Sequence, residues 1–477
     1  MIMKKVLSIL LLLAMVLTAA ASFTACDSAL QEQATNPPDT AESESVTELA
    51  TEAATEAATE EAPGESGLSF TLLEDGTYSV SQGTALQNTT DIVIPATYNG
   101  KAVTQIADKA FTDCRTLTSI VIPDSVTTIG EDAFHFCSSL TEITLPKGLT
   151  AINNSFGFCE KLTGLTIPAG VTEIDPWAFS HCSGLTAFVV DEGNTAYCAE
   201  DGVLFSKDKT MLVAYPHGKA GDYTIPEGVT TIGTVAFYTS EKLTAVTLPA
   251  SLTTIESLAF SNCDELTQLT VAEANPIFCS VDGVVFNKDK TELIAFPPAK
   301  AESYAIPEGV TFIASFAFSS SEKLTSITFP SSLTGIDSYA FSNCDNLIVK
   351  ENGVHYVGAW AVGVDYSVTE LPLRDGTVGI ANSAFYGSSD VTSATIPEGV
   401  VTLGDWTFAF CDALVSITIP ANVQKIDRFT FYSCSGMTDI HYTGTKEAWN
   451  AMEKVSDWDS DLEGYTVHCT DGDITKS

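Results

Sequence analysis

The cysteines are the residues whose type and spacing most clearly invite chemistry. Eight of the 12 stand three residues after a recurring phenylalanine: Cys114, Cys137, Cys159, Cys182, Cys263, Cys344, Cys411 and Cys434. In the other copies this position holds Ser240, Ser321 or Ser388. A position that accepts either Cys or Ser predicts a small residue packed in the core, so we expect buried free thiols. Disulfides between neighbouring copies, such as Cys114 with Cys137, are the alternative in an exported protein.

Other reactive residues lack the spacing that catalysis or metal binding requires. No C-x-x-C pair occurs, and none of the six histidines lies in an H-E-x-x-H motif. Asp459–Gly464 begins like a calcium-binding loop, but position twelve is Thr470 instead of Glu. G-x-S-x-G, phosphate-binding and dinucleotide-binding motifs are missing as well. We therefore expect no enzyme activity, no metal and no cofactor.

A repeated stretch sets the positions of these residues. Leu117–Ser139 reads LTSIVIPDSVTTIGEDAFHFCSS, and a related sequence returns from Leu414. A period of about 23 residues is typical of a leucine-rich-repeat solenoid. The alternation of Ile120 and Ile122 predicts a strand with one buried face, and the AF segment predicts a short helical or 3₁₀ turn. The sequence thus predicts a β-rich solenoid whose coils cannot fold singly, because each hides its neighbour's apolar edge.

The marker phenylalanines also reveal inserted modules. Most steps between successive markers are 22 or 23 residues, but two are 58 and one is 44. The two long steps contain YCAEDGVLFSKDKTMLVAYP and FCSVDGVVFNKDKTELIAFP, which lie 81 residues apart. Each predicts a β-hairpin around a KDKT turn, with Val203–Ser206 and Met211–Tyr215 as the strands of the first. Asn352–Val364 resembles a shortened third module. Inserted segments of solenoids often form the binding face, and wide coils without a ligand are the alternative.

Both ends of the array predict caps. FTLLEDGTYSV, with its Asp75–Gly76 turn, predicts a β-hairpin ahead of the first coil. Near the other end, Thr445 can begin a short helix that carries Trp449 and Met452, and Tyr465–Cys469 predicts a last strand. Caps are expected because a bare solenoid end would expose apolar surface and an open strand edge.

The first residues predict export. Two lysines precede an apolar run, Val6–Leu17, that is too short to favour a membrane span. FTAC ends at Cys26 and resembles a bacterial lipobox, in which the cysteine is lipidated and becomes the mature N-terminus. Phe23 stands where that motif prefers Leu, so ordinary cleavage after Ala19–Ala21 is the alternative.

Charge and low complexity define the rest of the organisation. Residues 27–66 contain no Lys or Arg and few large apolar residues, which predicts a disordered acidic tether. Over the chain the formal net charge is −39, so nucleic acid is not expected as a partner. Solubility is the simplest explanation of the charge, and cation binding or the avoidance of wrong partners is the alternative. The predicted domains are a signal peptide at 1–26, the tether at 27–66, a hairpin cap with the first coil at 67–110, the solenoid at 111–437 with inserts near 188–223, 269–304 and 347–380, and a C-terminal cap at 438–477.

Threonines recur at the second outward position of LTxIxIP and form a candidate ligand-binding face. A high strand propensity on a solvated sheet would explain them without a ligand. If a ligand binds, the stacked hydroxyls would offer it a flat polar row suited to a protein or a glycan. The residues are Thr144, Thr166, Thr247, Thr270, Thr328, Thr395 and Thr418.

Several motifs together resemble one family. LTxIxIPxxVTxIGxxAFxxC, IPATYNGKAVTQI, DGVLF…KDKT…YP and YTGTKEAWNAM…VHCTDG are similar to BspA-like leucine-rich-repeat proteins (LRR_5 type) of the bacterial surface. The resemblance covers about Gly67–Asp473 and implies a cell-surface protein for adhesion or protein binding, for which lipoprotein anchoring fits. The position that other leucine-rich repeats fill with Asn is Ser125, Gly148 or Gly170 here, so we expect Pro, Gly and Thr to supply the turn chemistry.

We therefore expect a monomer, lipid-anchored to the outer face of the cytoplasmic membrane, that binds a protein or glycan on host or neighbouring cells. A secreted form is the alternative location. Two other functions stay open: a glycan-binding or glycan-processing lipoprotein, and a structural spacer without a ligand. A glycan site would combine an aromatic platform with paired carboxylates. Trp177, Trp360 and Trp406 are the candidates for that platform.

Overall fold

The structure, a computed structural model, describes residues 67–83 and 89–476. These residues belong to one compact unit, Ala58–Ser477. The predicted signal peptide, the lipidation site Cys26 and the acidic tether lie outside the described residues. Within the described residues, no helix is long and apolar enough to cross a membrane.

Each regular coil begins with a strand that has one buried face. In β6 (Ser119–Val121), Ile120 is buried and Val121 is exposed, because successive side chains of a strand point to opposite faces. The other first strands are β3 (Asp91–Val93), β8 (Glu142–Ile143), β10 (Gly164–Ile167), β12 (Ala187–Val190), β16 (Gly221–Thr224), β18 (Leu243–Leu248), β20 (Gln268–Val271), β24 (Ser303–Ala305), β26 (Ser326–Thr328), β31 (Glu370–Leu371), β33 (Ser393–Thr395), β35 (Ser416–Ile419), β37 (Asp439–Tyr442) and β39 (Tyr465–Cys469). We call the sheets they form the first side of the solenoid.

A shorter strand follows on the second side. Pro123 ends the first strand of its coil because it has no N–H to donate, and the VTTI segment then forms β7 (Thr128–Ile129). The other second strands are β5 (Lys101–Ile106), β9 (Ala151–Ile152), β11 (Glu173–Ile174), β17 (Thr231–Ile232), β19 (Thr254–Ile255), β25 (Phe312–Ile313), β27 (Gly335–Ile336), β32 (Gly379–Ile380), β34 (Thr402–Leu403), β36 (Lys425–Ile426) and β38 (Glu453–Lys454).

Consecutive coils stack in parallel and in register. Ile120 lies opposite Ile143 on the first side, so equivalent residues of neighbouring coils meet. The marker phenylalanines form a column in the core, where the rings of Phe111 and Phe134 are 5.6 Å apart and nearly parallel. The predicted leucine-rich-repeat solenoid is confirmed.

The turn that closes each coil is not the helical or 3₁₀ turn that was predicted. The N–H of Cys137 donates to Phe134 in its own coil, whereas the N–H of Phe134 donates to Ser155 in the next coil. In most coils, residues two before and two after the marker adopt positive φ, as at Asp132 (54°) and Phe136 (61°). A helix needs negative φ throughout and keeps its hydrogen bonds local, so this alternation excludes it.

The recurring cysteines lie in the core as free thiols, as predicted. The described residues contain 11 free cysteines, and seven of those at the repeat position are buried. The Sγ of Cys137 donates to the carbonyl of Phe111 in the preceding coil at 3.2 Å, and Cys182 donates to Phe156 at 3.1 Å. Each thiol is therefore a weak hydrogen-bond donor between coils. In coils that follow a module, serine takes this place, and its buried hydroxyl has no partner within the described residues; these are Ser240, Ser321 and Ser388.

Threonine hydroxyls supply part of the turn chemistry that asparagine would otherwise provide. On the first side, Thr141 Oγ1 donates to the carbonyl of Thr118 at 3.1 Å. On the second side, Thr253 Oγ1 donates to the carbonyl of Thr230 at 3.1 Å. The same bond recurs in other coils on both sides, so two threonine ladders connect the coils, as the sequence led us to expect.

Each inserted module is a three-stranded antiparallel unit, one strand more than the predicted hairpin. The strands are β13 (Tyr197–Glu200), β14 (Val203–Ser206) and β15 (Met211–Ala214) in the first module, β21 (Phe278–Val281), β22 (Val284–Asn287) and β23 (Glu292–Ala295) in the second, and β28 (Val349–Glu351), β29 (Val354–Val357) and β30 (Trp360–Val364) in the third. The last strand of each module pairs in parallel with the next second-side strand. The last strand of each module therefore takes the place of a second-side strand.

Buried asparagines fix the entry into the two long modules. Asn275 Nδ2 donates to the carbonyls of Pro249 and Leu252, both at 2.9 Å, and its Oδ1 accepts two N–H groups of the module backbone. Asn194 makes the equivalent four bonds. Each asparagine satisfies buried backbone groups that would otherwise lack partners. These two residues were not predicted.

The ends of the array follow the predicted elements with one addition. β1 (Leu68–Leu72) and β2 (Tyr78–Gln82) form the expected hairpin, and β4 (Thr97–Tyr98) pairs with β5. The helix α1 (Lys446–Ala451) begins at the N-cap Thr445 and buries Trp449. Tyr465–Cys469 is not the last strand, because a tight turn at Thr470 and Asp471 reverses the chain into β40 (Gly472–Lys476), whose first residue adopts a φ of 121°.

Burial should protect the core thiols from reagents. We expect a water-soluble disulfide reagent to leave the seven buried repeat cysteines unreacted in the folded chain and to reach them in denaturant. The measurement is a thiol count with and without guanidinium, and the four half-exposed cysteines, such as Cys198, serve as the reactive controls. Rapid loss of the buried thiols in the folded state would contradict this packing.

Candidate functional site

The predicted threonine row is present on the first side in parts. All seven threonines are exposed or half-exposed. Thr247 lies directly opposite Thr270, and Thr395 lies directly opposite Thr418, so these pairs adjoin on neighbouring strands. Their role in binding stays a prediction.

Other residues interrupt the row. Val189 lies opposite Thr166, and Ala305 lies opposite Thr328. Thr144 follows the end of β8. The first side is also divided into separate sheets, with β10 and β12 in one and β24 and β26 in another. The structure therefore offers short threonine patches and not one continuous row.

The row ends in two histidines that the sequence did not single out. His441 lies opposite Thr418, and its ring stacks on that of His468 at 5.0 Å. His468 Nε2 lies 2.8 Å from Asp439 Oδ1, and its Nδ1 lies 3.0 Å from Asp473 Oδ1. Hydrogen bonds to these carboxylates, Asp439 first, raise the pKa of His468 above 6.5.

A cleft of about 350 Å³ opens on the second side, beside the second module. β19 is the last strand of its sheet, and the sheet of β23, β25 and β27 begins separately. The cleft lies at this interruption, where no strand pairing closes the surface. Three carboxylates line it, those of Glu256, Glu292 and Asp337, together with the hydroxyls of Ser315 and Ser319.

The three carboxylates differ in their partners. Glu256 Oε2 accepts the N–H and the hydroxyl of Thr234 at 2.8 and 2.7 Å. Asp337 Oδ2 accepts the hydroxyl of Ser315 at 2.7 Å. Glu292, by contrast, makes no side-chain hydrogen bond or ion pair within the described residues. None of the described residues that line the cleft is basic.

The cleft therefore contains polar groups that lack hydrogen-bond or charge partners within the described residues. Burial first, and the nearby Asp337 carboxylate second, raise the pKa of Glu292 above 4.5. Ser319 is only 3% exposed, and its hydroxyl has no hydrogen-bond partner within the described residues. The site can therefore accept hydrogen bonds from a ligand and can bind a positively charged group.

Of the three tryptophans considered for a glycan platform, one is buried and two are half-buried. Trp360 is buried. Trp177 packs edge-to-face on Tyr238 at 5.0 Å. Trp406 is half-buried and contacts Phe429 and Tyr432, with ring centroids 4.7 and 5.5 Å away.

Carboxylates adjoin the Trp406 group. Asp405 directly precedes the tryptophan, and Asp427 lies in the next coil. Burial first, and the charge of Asp427 second, raise the pKa of Asp405 above 3.8. Trp406 thus combines an aromatic surface with acidic neighbours, and so does Trp177, whose backbone N–H donates to Asp175 Oδ1 at 2.8 Å.

Burial makes the core thiols poor nucleophiles and the core histidines weak bases. Burial raises the pKa of the Cys182 thiol to about 12, so the reactive thiolate is scarce at neutral pH. Burial also lowers the pKa of His217 to about 3 and that of His181 to about 4, so both imidazoles stay neutral.

The first carboxylate of the calcium-like loop already has partners. Asp459 accepts the hydroxyl of Tyr465 at 2.6 Å and forms an ion pair with Lys476. In the part of the chain that the structure describes, no group of three or more His, Cys, Asp or Glu side chains is arranged to hold a metal ion.

The unpartnered carboxylate of Glu292 should reduce stability at neutral pH. Because its pKa is raised in the folded state, ionisation disfavours folding as the pH rises through the titration. We expect Glu292→Gln to increase the Tm at pH 7, and the increase to vanish below about pH 4, where the carboxyl is protonated in both states. Calorimetry at both pH values measures this, with exposed Glu398→Gln as the control. A lower Tm for Glu292→Gln at pH 7 would show that the carboxylate stabilises the fold.

The sequence was compared with family models and with known proteins. Residues 88–200, 214–347 and 364–452 match the model of the BspA type leucine-rich repeat region, in six copies. No match is found among curated proteins.

Solved structures of bacterial leucine-rich proteins are similar over most of the chain. A leucine-rich cell surface protein of Faecalibacterium prausnitzii is 31% identical over 82% of this chain and 98% of its own, with a TM-score of 0.40. The pneumococcal vaccine antigen PcpA is 23% identical over 83% of this chain and 93% of its own, with a TM-score of 0.34. A leucine-rich repeat protein of Bacteroides ovatus is 22% identical over 84% of this chain and 98% of its own, with a TM-score of 0.31.

The family model matches well over half of the sequence, and the matched ranges contain most of the coils, the threonine patches and the cleft described above. The chain therefore belongs to the BspA type leucine-rich-repeat family.

Proposed function

We propose that the protein is a surface-anchored recognition protein that binds protein partners and acts in adhesion, without catalysis. The observation that carries this proposal is the register of exposed side chains between coils. Thr395, Thr418, His441 and His468 stand opposite one another on four successive parallel strands. Strands in a sheet lie about 4.8 Å apart, so such a line of outward residues forms a broad surface that a macromolecule can cover.

Surface location is supported by the sequence and by the relatives. The Faecalibacterium prausnitzii protein, 31% identical, is described as a cell surface protein. We propose that this chain is exported and held at the outer face of the cytoplasmic membrane by a lipid on Cys26. A chain cleaved after Ala19–Ala21 and secreted is the alternative.

Metabolic labelling tests the anchor. We expect a labelled fatty acid to be incorporated into the mature protein and to be lost in Cys26→Ser, because the thiol is the acceptor of the lipid. Mass spectrometry of the N-terminal peptide serves as the second readout. An unlabelled mature protein that begins before or after Cys26 would contradict lipidation.

The first side is the proposed binding face, through its threonine patches. We expect replacement of Thr247, Thr270 and Thr328 by Lys to weaken binding to a protein ligand about tenfold or more, because long charged side chains would disturb the flat polar surface. Ligands come from a screen of the full chain against host matrix proteins and glycan arrays. Lys at Thr128, Thr231 and Thr402, on the second side, is the matched control. Unchanged binding by the first-side variant would remove this face from the proposal.

A glycan-binding protein is the second candidate function, and the Trp406 group favours it. Aromatic rings pack on sugar rings, and adjacent carboxylates such as Asp405 can accept hydrogen bonds from the sugar hydroxyls. Binding in the screen to glycans alone, with loss on Trp406→Ala, would favour this candidate over protein recognition. Binding to neither class would leave the structural spacer as the function.

A further inference from the structure

The two long modules offer an internal comparison of one site in two forms. Positions around the cleft have counterparts 81 residues earlier, beside the first module. There Tyr238 stands in place of Ser319, Trp177 in place of Leu258, and Met211 in place of Glu292. The sheets are interrupted in the same way, since β11 ends one sheet and β15 begins its pairing with β17 in another.

Large side chains fill this place beside the first module. Tyr238 is buried, and its ring meets that of Trp177 at 5.0 Å. Met211 extends toward Gly233, where its terminal methyl lies within 2.8 Å of the position that a Cβ would take. The same backbone thus accepts an apolar filling, so the open cleft beside the second module results from its side chains and not from the fold.

The side chains of the open cleft favour a cation. The formal charges of the described residues that line the cleft come from three carboxylates, and Glu292 lacks a partner within the described residues. A guanidinium group donates up to five hydrogen bonds and pairs with carboxylates in a planar fork. The unpartnered hydroxyl of Ser319 adds an acceptor at the site. The ring of Phe316, which stacks on Tyr339 at 5.5 Å, lines the same cleft and can pack on a flat cation.

We propose that the cleft of Glu256, Glu292, Asp337 and Ser319 is a binding pocket for an arginine side chain of a protein partner. The proposal rests on the proposed function, which it extends by a second contact point on the second side of the solenoid. The guanidinium would compensate the charge of Glu292 and lie against Phe316. The net charge of −39 would also attract basic partners at low ionic strength.

The test is calorimetric titration of the full chain with acetyl-Gly-Arg-Gly-amide at low salt. The matched probe contains citrulline, which keeps the shape of arginine but not its charge. We expect the arginine peptide to bind at least tenfold more tightly than the citrulline peptide. Glu292→Gln should weaken its binding about tenfold, and Glu398→Gln should leave it unchanged. Leu258→Trp combined with Ser319→Tyr copies the first module and should abolish binding, with circular dichroism as the check of folding.

Several outcomes would overturn the proposal. Equal affinity for both peptides, no detectable binding, or arginine binding that Glu292→Gln does not weaken would each do so. Calcium or a neutral sugar that binds in the cleft while the arginine peptide does not would replace the occupant. If the full chain binds a matrix protein through the threonine patches but does not bind the peptide, this proposal fails while the proposed function stands. If the peptide binds at Glu292 but no macromolecular partner is found, the pocket stands without the proposed function.

Discussion

Every coil depends on its neighbours for hydrogen bonds that it cannot make alone. The strands on both sides are only two to six residues long, and their partners belong to other coils. The closing turn alternates between local bonds and bonds to the next coil, as Phe134 and Cys137 show. Threonine hydroxyls and cysteine thiols add further donors, which reach carbonyl groups of the preceding coil. Folding is therefore a property of the array. Where the strand pairing between coils is interrupted, the sheet surface is interrupted as well.

The modules are such breaks, and they explain where the polar cleft is found. A module brings its own antiparallel strands and pairs only forward, β15 with β17 and β23 with β25. The preceding strand is left without a partner on that side, so side chains must cover the gap. Beside the first module they do so with aromatic rings, whereas beside the second they leave a cleft lined with acids.

The repeat and its buried residues could be predicted from the sequence, because residues such as Ile120 and Phe134 recur with the period of the coil. The closing turn could not, since positive φ at Asp132 and Phe136 is set by bonds to the next coil. Asp is enriched at positive φ, but Phe gives no such signal. The role of Asn275 also depends on tertiary contacts. Part of the threonine arrangement was predicted, but its interruptions required the strand pairing.

The cleft shows most clearly what periodicity omits. Aligned by their repeat, Tyr238 and Ser319 occupy one position, as do Met211 and Glu292, and the pattern treats each pair as equivalent. The difference matters because the gap between sheets beside the first module is wide enough for Trp177 and Tyr238. Beside the second module, no side chain of similar size takes the place of these two residues. A half-buried carboxylate without a partner is unfavourable for folding, and the Met211 position shows that an apolar residue is tolerated there. Stability therefore does not account for an acid at this position, whereas a cationic ligand would.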